Sequence, residues 1–230
     1  MTPIVLIPGL LCTAEVFAPQ LPVLWPHGPV TIASTLGGDT IGELAAALLA
    51  DAPPRFALAG YSMGGYIAQE ILRQAPARVT RLALLSTSAR ADLPIQIEMR
   101  RALVDAACHG DFDTVLASLS MTNAHPSRRR DPVLAATKRR MAAAIGRAGL
   151  ARQSEALISR VDSRADLAAI AVPTLVLTGD SDAIAPPAHA REMADAIPGA
   201  KLVIVPECGH NATLECPEAV NAALLAWLTA

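Results

Sequence analysis

The chain has 230 residues, 52% of them apolar and 17% charged, with a formal net charge of -2. That size and balance fit one globular domain with a sizeable core and exclude a disordered chain. The near-neutral charge gives no general attraction to nucleic acid or to an anionic membrane, and the one basic run, Arg128-Arg129-Arg130, reads as a solvated loop.

No basic stretch precedes Ile4-Val5-Leu6-Ile7. A signal peptide is therefore not expected, and the expected location is cytoplasmic. No apolar run approaches the ~18 residues of a membrane span, so no stable membrane association is expected. Ile4–Ile7 is instead the first of six short apolar runs. The others are 30–33 (weaker), 56–59, 82–85, 174–177 and 202–205. Such runs predict strands buried on both faces, as in a parallel sheet. Helical patterns alternate with them. Thr40, with Glu43 three residues on, predicts a capping box for a helix through Leu49. Further helices are predicted over 63–74, 187–196 and 217–228, the last two opening on proline. The alternation predicts an α/β fold with a mainly parallel, doubly wound sheet of about six strands.

From about Ser88 to Ala169 no strand is expected. Apolar residues recur there at helical spacing, broken at His109-Gly110-Asp111 and Asn123-Ala124-His125-Pro126 into three or four helices. The division expected is a core of 1–87 and 170–230, with 88–169 as a helical cap. Cysteines 12, 108, 208 and 216 show no metal-site spacing, and free thiols are expected. Cys208 and Cys216 are close enough in sequence for a disulfide, which is disfavoured.

The densest chemistry is Gly60-Tyr61-Ser62-Met63-Gly64-Gly65, directly after one predicted strand and before a helix. A strand that reverses into a helix this abruptly holds Ser62 strained and needs small residues on both sides. The serine oxygen is then exposed at the carboxyl end of the sheet, at a helix N-terminus that favours negative charge. A hydroxyl needs a base. His210 follows the last predicted strand, whereas His27, His109, His125 and His189 do not follow core strands. His125 could still approach the pocket from above. A carboxylate must orient the base. Asp180 and Asp182 both follow the strand at 174–177. Asp182 lies nearer the loop from which His210 descends, while Asp180 is placed to satisfy backbone N–H groups of its own turn. Asp92 and Glu207 are the alternative acids. An oxyanion hole would combine the N–H of Met63 with that of Leu10, in the loop Pro8-Gly9-Leu10-Leu11. Leu11 and Ile184 are candidate pocket walls.

Three motifs resemble the α/β-hydrolase superfamily over nearly the whole chain: Gly60-Tyr61-Ser62-Met63-Gly64-Gly65, Gly179-x-x-Asp182-x-x-x-Pro186 and Gly209-His210. The tail Glu215-Cys216-Pro217-Glu218-x-Val220 is similar to the stretch after the histidine in that superfamily. The resemblance implies strand order 4-3-5-6-7-8 in the family's naming, with its first two strands missing, and places the triad acid at Asp182. Pro8-Gly9 stands where the family usually has His-Gly, which removes a side chain that often braces the loop. The resemblance assigns no particular cap type to the segment after Ser88. The activity implied is that of a serine hydrolase cleaving small or medium carboxylic esters, with no cofactor, no metal and no nucleic-acid partner. A carbon–carbon bond hydrolase or a lyase of menaquinone synthesis is the alternative enzyme, favoured if arginines of the insertion face Ser62. Halide-removing relatives use an aspartate nucleophile, against Ser62. A ligand sensor that keeps the triad without turnover is the alternative of another class. Only 3% of residues are aromatic and no exposed apolar lid is visible, so short acyl esters are expected to outrun long-chain ones.

Overall fold

The computed structural model describes residues 1–229. Six strands, β1 (Ile4–Ile7), β2 (Val30–Ile32), β3 (Phe56–Tyr61), β4 (Val79–Leu85), β5 (Thr174–Gly179) and β6 (Lys201–Val205), form one sheet in the order β2-β1-β3-β4-β5-β6. Every neighbouring pair is parallel. This is the order expected from the resemblance. The central β3 and β5 are buried at every position, while the edge strands β2 and β6 are only partly covered, so the sequence signal is weakest at the edges.

Successive strand residues face opposite layers. Val5, Ile7, Leu58, Leu84 and Val176 pack against α2 (Ile41–Asp51), α3 (Met63–Gln74) and α7 (Pro187–Ala196). Leu6, Ala59, Leu85 and Leu177 pack on the other side against α1 (Leu21–Leu24) and α9 (Pro217–Thr229). Thr40 caps α2 as expected: its hydroxyl accepts from Glu43 N–H at 3.1 Å, and the Glu43 carboxylate accepts from Thr40 N–H at 3.2 Å. No pattern in the chain signals α1 or the one-turn α8 (Ala212–Glu215), both too short for a helical period to show.

Between β4 and β5 the described residues form helices joined by loops, with no strand, the main helices being α4 (Pro94–His109), α5 (Phe112–Asn123) and α6 (Pro132–Ile158). Gly146 stands at φ 70°, ψ 178° and breaks α6 in two. That positive φ suits glycine, and it makes four helical segments out of three. These helices bury Leu116, Ala107, Ala142 and Leu150 together with Leu11 of the loop after β1. The second half of α6 also docks on the sheet layer through Ala156 and Leu157. The buried side chain of Asp92 pairs with Arg100 and Arg160, both at 2.6 Å, and so ties the beginning of the insertion to its end. No described helix is long and apolar enough to cross a membrane.

One premise drawn from composition does not hold. Leu93, Ile95 and Met99, at the start of α4, are each more than half exposed. An exposed apolar edge therefore does exist over the sheet. Aromatic content missed it because the edge is built of Leu, Ile and Met.

Candidate active site

β3 ends at Tyr61 and α3 begins at Met63, leaving Ser62 alone to make the reversal. It does so at φ 53°, ψ -114°, a conformation that side-chain-bearing residues rarely adopt. Two glycines make this possible. A Cβ on Gly60 would collide with the carbonyl of Gly64, and one on Gly64 would collide with the carbonyl of Ile7. The strained turn is held by Ser62 N–H donating to Leu85 O at 2.9 Å and by the Thr87 hydroxyl donating to Ser62 O at 2.9 Å.

The loops after β5 and β6 bring the other two expected residues to the same place. His210 Nε2 lies 2.9 Å from Ser62 Oγ, and its Nδ1 lies 2.9 and 3.0 Å from the two oxygens of Asp182. An ionised carboxylate can only accept, so Nδ1 carries the proton and Nε2 is free to accept the serine proton. Asp182 and His210 are both buried. Burial alone would raise the Asp182 pKa. The facing His210, and the N–H groups of Ala185 (2.8 Å) and Ile184 (2.9 Å), outweigh it and hold the carboxyl below the usual carboxylate value. The Thr178 hydroxyl donates to the second oxygen at 3.0 Å.

Asp180 is exposed, and its carboxylate accepts from the N–H groups of Glu207 (3.0 Å) and Cys208 (3.2 Å). It thus serves backbone N–H groups as expected, but in the histidine loop rather than in its own turn. These bonds, that of Glu207 first, lower its pKa. Of the alternative acids, Asp92 is engaged by two arginines and Glu207 is exposed beside Asp180. The four cysteines are unpaired, Cys208 and Cys216 included.

Of the two expected oxyanion donors, Met63 is the first residue of α3, so its N–H has no partner within the helix. Leu10 sits in the loop after β1, the strand beside β3. The N–H of Leu11 cannot serve, because it donates to Gln153 Oε1 at 2.9 Å. Gln153 is fully buried and donates in turn to Thr35 at 2.8 Å. It braces the loop from which the family's usual histidine is missing.

Ser62 and His210 open into a cavity of about 640 Å³. The expected walls Leu11 and Ile184 line it, as do Leu10, Met99 and Leu116. His125 is not among its walls. Its backbone N–H instead donates to the buried carboxylate of Glu215 at 2.8 Å. That carboxylate also accepts from the N–H groups of Gly209 (3.1 Å) and Asn211 (3.0 Å) and from the Asn211 side chain (3.0 Å). Asn123 O accepts from His210 N–H at 2.8 Å. Glu215 and Asn123 thus clamp the histidine loop to the end of α5. In the sequence Glu215 stands out only as part of a family-like tail, with no role attached.

Removing the Glu215 carboxylate would strand several buried N–H groups, each costing about 1–3 kcal/mol. Glu215→Ala is therefore expected to lower the thermal midpoint and to lower kcat by loosening His210. Calorimetry and steady-state kinetics on one preparation check this, and unchanged values for both would contradict it.

A family model described as "Alpha/beta hydrolase family" matches residues 4–223. A pimeloyl-[acyl-carrier protein] methyl ester esterase of Aromatoleum aromaticum is 29% identical over 216 residues, covering 86% of this chain and 82% of that one. Among solved structures, the enol-lactonase from Burkholderia xenovorans LB400 superposes with a TM-score of 0.90 at 27% identity, covering 100% of this chain and 92% of that chain. A thermophilic esterase from Thermogutta terrifontis, in a malate-bound form, gives 0.89 at 27% identity, covering 100% and 90%.

Proposed function

Since this chain belongs to the α/β-hydrolase family, we propose that it hydrolyses carboxylic esters of small or medium acyl groups through an acyl-enzyme on Ser62. The observation that carries this reading is the hydrogen-bonded line Ser62–His210–Asp182, which meets the cavity at the carboxyl edge of the sheet. Esterase and lactonase relatives support it.

The geometry supports the following chemistry. His210 Nε2 takes the Ser62 proton as Oγ attacks the ester carbonyl. The carbonyl oxygen becomes an oxyanion, which accepts from the N–H groups of Leu10 and Met63 at the positive end of α3. Asp182 stabilises the imidazolium without taking its proton. The imidazolium then protonates the departing alcohol. Water, deprotonated by the same Nε2, attacks the acyl carbonyl and releases the acid, returning the proton to Ser62. A cavity of about 640 Å³ has room for more than a short acyl chain, so the preferred size moves toward medium acyl groups.

A second reading, carbon–carbon bond hydrolysis or a lyase reaction, gains from Arg100, Arg129 and Arg139, which the insertion contributes to the same cavity. Steady-state hydrolysis of a nitrophenyl ester series over many turnovers tests the leading reading. Stoichiometric acylation without turnover would favour a sensor.

The base must be neutral to work. A fall in kcat/KM is therefore expected on acidification. A profile flat from about pH 5 to about pH 8 would contradict a histidine base.

A further inference from the structure

Lys138 is a feature that the triad does not use. It lies on α6, and it forms part of the cavity wall together with Cys12, Met141 and Leu214. Its Nζ is closed to solvent and, among the described residues, has no hydrogen-bond partner. A buried ammonium without a partner costs stability and calls for an explanation.

The neighbouring groups do not supply one. Cys12 is a candidate counter-charge, but burial pushes its thiol up to about 12, so it stays neutral. The Glu215 carboxylate is already used by four N–H donors. Burial accordingly holds the Lys138 amine below the ordinary lysine value. The rest of the lining points the same way. Arg129 and Arg139 line the cavity and form no ion pair among the described residues, and Asp113 is the one acid in the described wall.

We propose that the substrate is an ester bearing a carboxylate remote from the scissile bond, and that Lys138 receives that carboxylate inside the cavity. The amine sits on a flexible four-carbon stem, so rotation about its terminal bonds brings it from the wall into the chamber. The carboxylate supplies the partner that the protein withholds, as a charge-assisted hydrogen bond in a place sheltered from water. Arg129 and Arg139 then act nearer the solvent, guiding an anion inward. This inference rests on the esterase reading and narrows its substrate class.

The test compares monomethyl adipate with dimethyl adipate, a pair matched in length and scissile bond that differs in one remote charge. Wild-type kcat/KM is expected to favour the half-ester by about tenfold or more. In Lys138→Met that ratio is expected to collapse toward unity, chiefly through KM. A parallel pair, 5-butanoyloxypentanoate against pentyl butanoate, places a remote carboxylate on the alcohol side. The pair whose ratio depends on Lys138 identifies the half of the ester that carries the charge.

The thermal midpoint of Lys138→Met separates recognition from scaffolding. An amine kept for a ligand destabilises the free protein, so its removal should leave the midpoint unchanged or raise it. A wild type that hydrolyses the uncharged esters but shows no preference for either anionic ester overturns this inference alone. So does a preference that survives intact in Lys138→Met. A wild type that hydrolyses the nitrophenyl esters but none of these four also overturns this inference alone, and one that hydrolyses neither set overturns the esterase reading itself.

Discussion

Ser62→Ala is expected to lower kcat for ester hydrolysis by on the order of 10⁶-fold, the scale at which triad enzymes respond to loss of the nucleophile. The reason is chemical rather than structural. Ser62 Oγ is held 2.9 Å from His210 Nε2 and faces the cavity. Alanine keeps the backbone and Cβ, and the strained turn stays anchored by the bonds of Ser62 N–H and Ser62 O to Leu85 and Thr87. The thermal midpoint should therefore change little, since one partly buried hydrogen bond is worth about 1 kcal/mol. Residual activity above about a tenth of wild type would remove Ser62 from the role of nucleophile, whatever the fold does.

Asp182→Asn is expected to cut kcat by up to about 10⁴-fold, while Asp180→Asn leaves catalysis nearly intact. Asp182 touches Nδ1 of His210 with both oxygens. The Ile184 and Ala185 N–H donors fix one oxygen of the side chain, so an asparagine would satisfy those donors with its carbonyl oxygen and turn its NH₂ toward the imidazole. Nδ1 would then accept, and the proton would move to Nε2, the nitrogen that must be free to take the Ser62 proton. Asp180 has no such contact. It accepts from Glu207 and Cys208 N–H in an exposed position, so its substitution should act through stability, by no more than about 1 kcal/mol. Measuring kcat and thermal midpoint for both variants separates the roles. An inactive but stable Asp180→Asn would reverse the assignment.

The parts of this molecule that the chain announces locally were legible from it. A parallel sheet buries its central strands on both faces, so β3 and β5 stood out as continuous apolar runs, and β2, at the partly covered edge, was the weakest. The elbow at Ser62 was legible because sterics force glycine on both sides within five residues. The residues that brace the site were not legible, because their partners are far away in sequence. Gln153 reaches the loop after β1 across 142 positions, and Glu215 reaches His125 across 90. Within a helix or a tail, a lone glutamine or glutamate carries no mark of such a partner. Lys138 looked like any helical lysine until α6 folded over the cavity. The kink at Gly146 was also hidden, since an isolated glycine is tolerated within a helical pattern.

The most direct test of the central claim is to trap the covalent intermediate. Wild-type protein turning over p-nitrophenyl butyrate is quenched in acid on the millisecond scale, digested, and the acyl group located by mass. The expected result is a butyryl group on the peptide carrying Ser62, formed within the first turnover and absent in Ser62→Ala. Sustained hydrolysis with no acyl group on Ser62 at any quench time, or with the acyl group on another residue, would contradict an acyl-enzyme at Ser62.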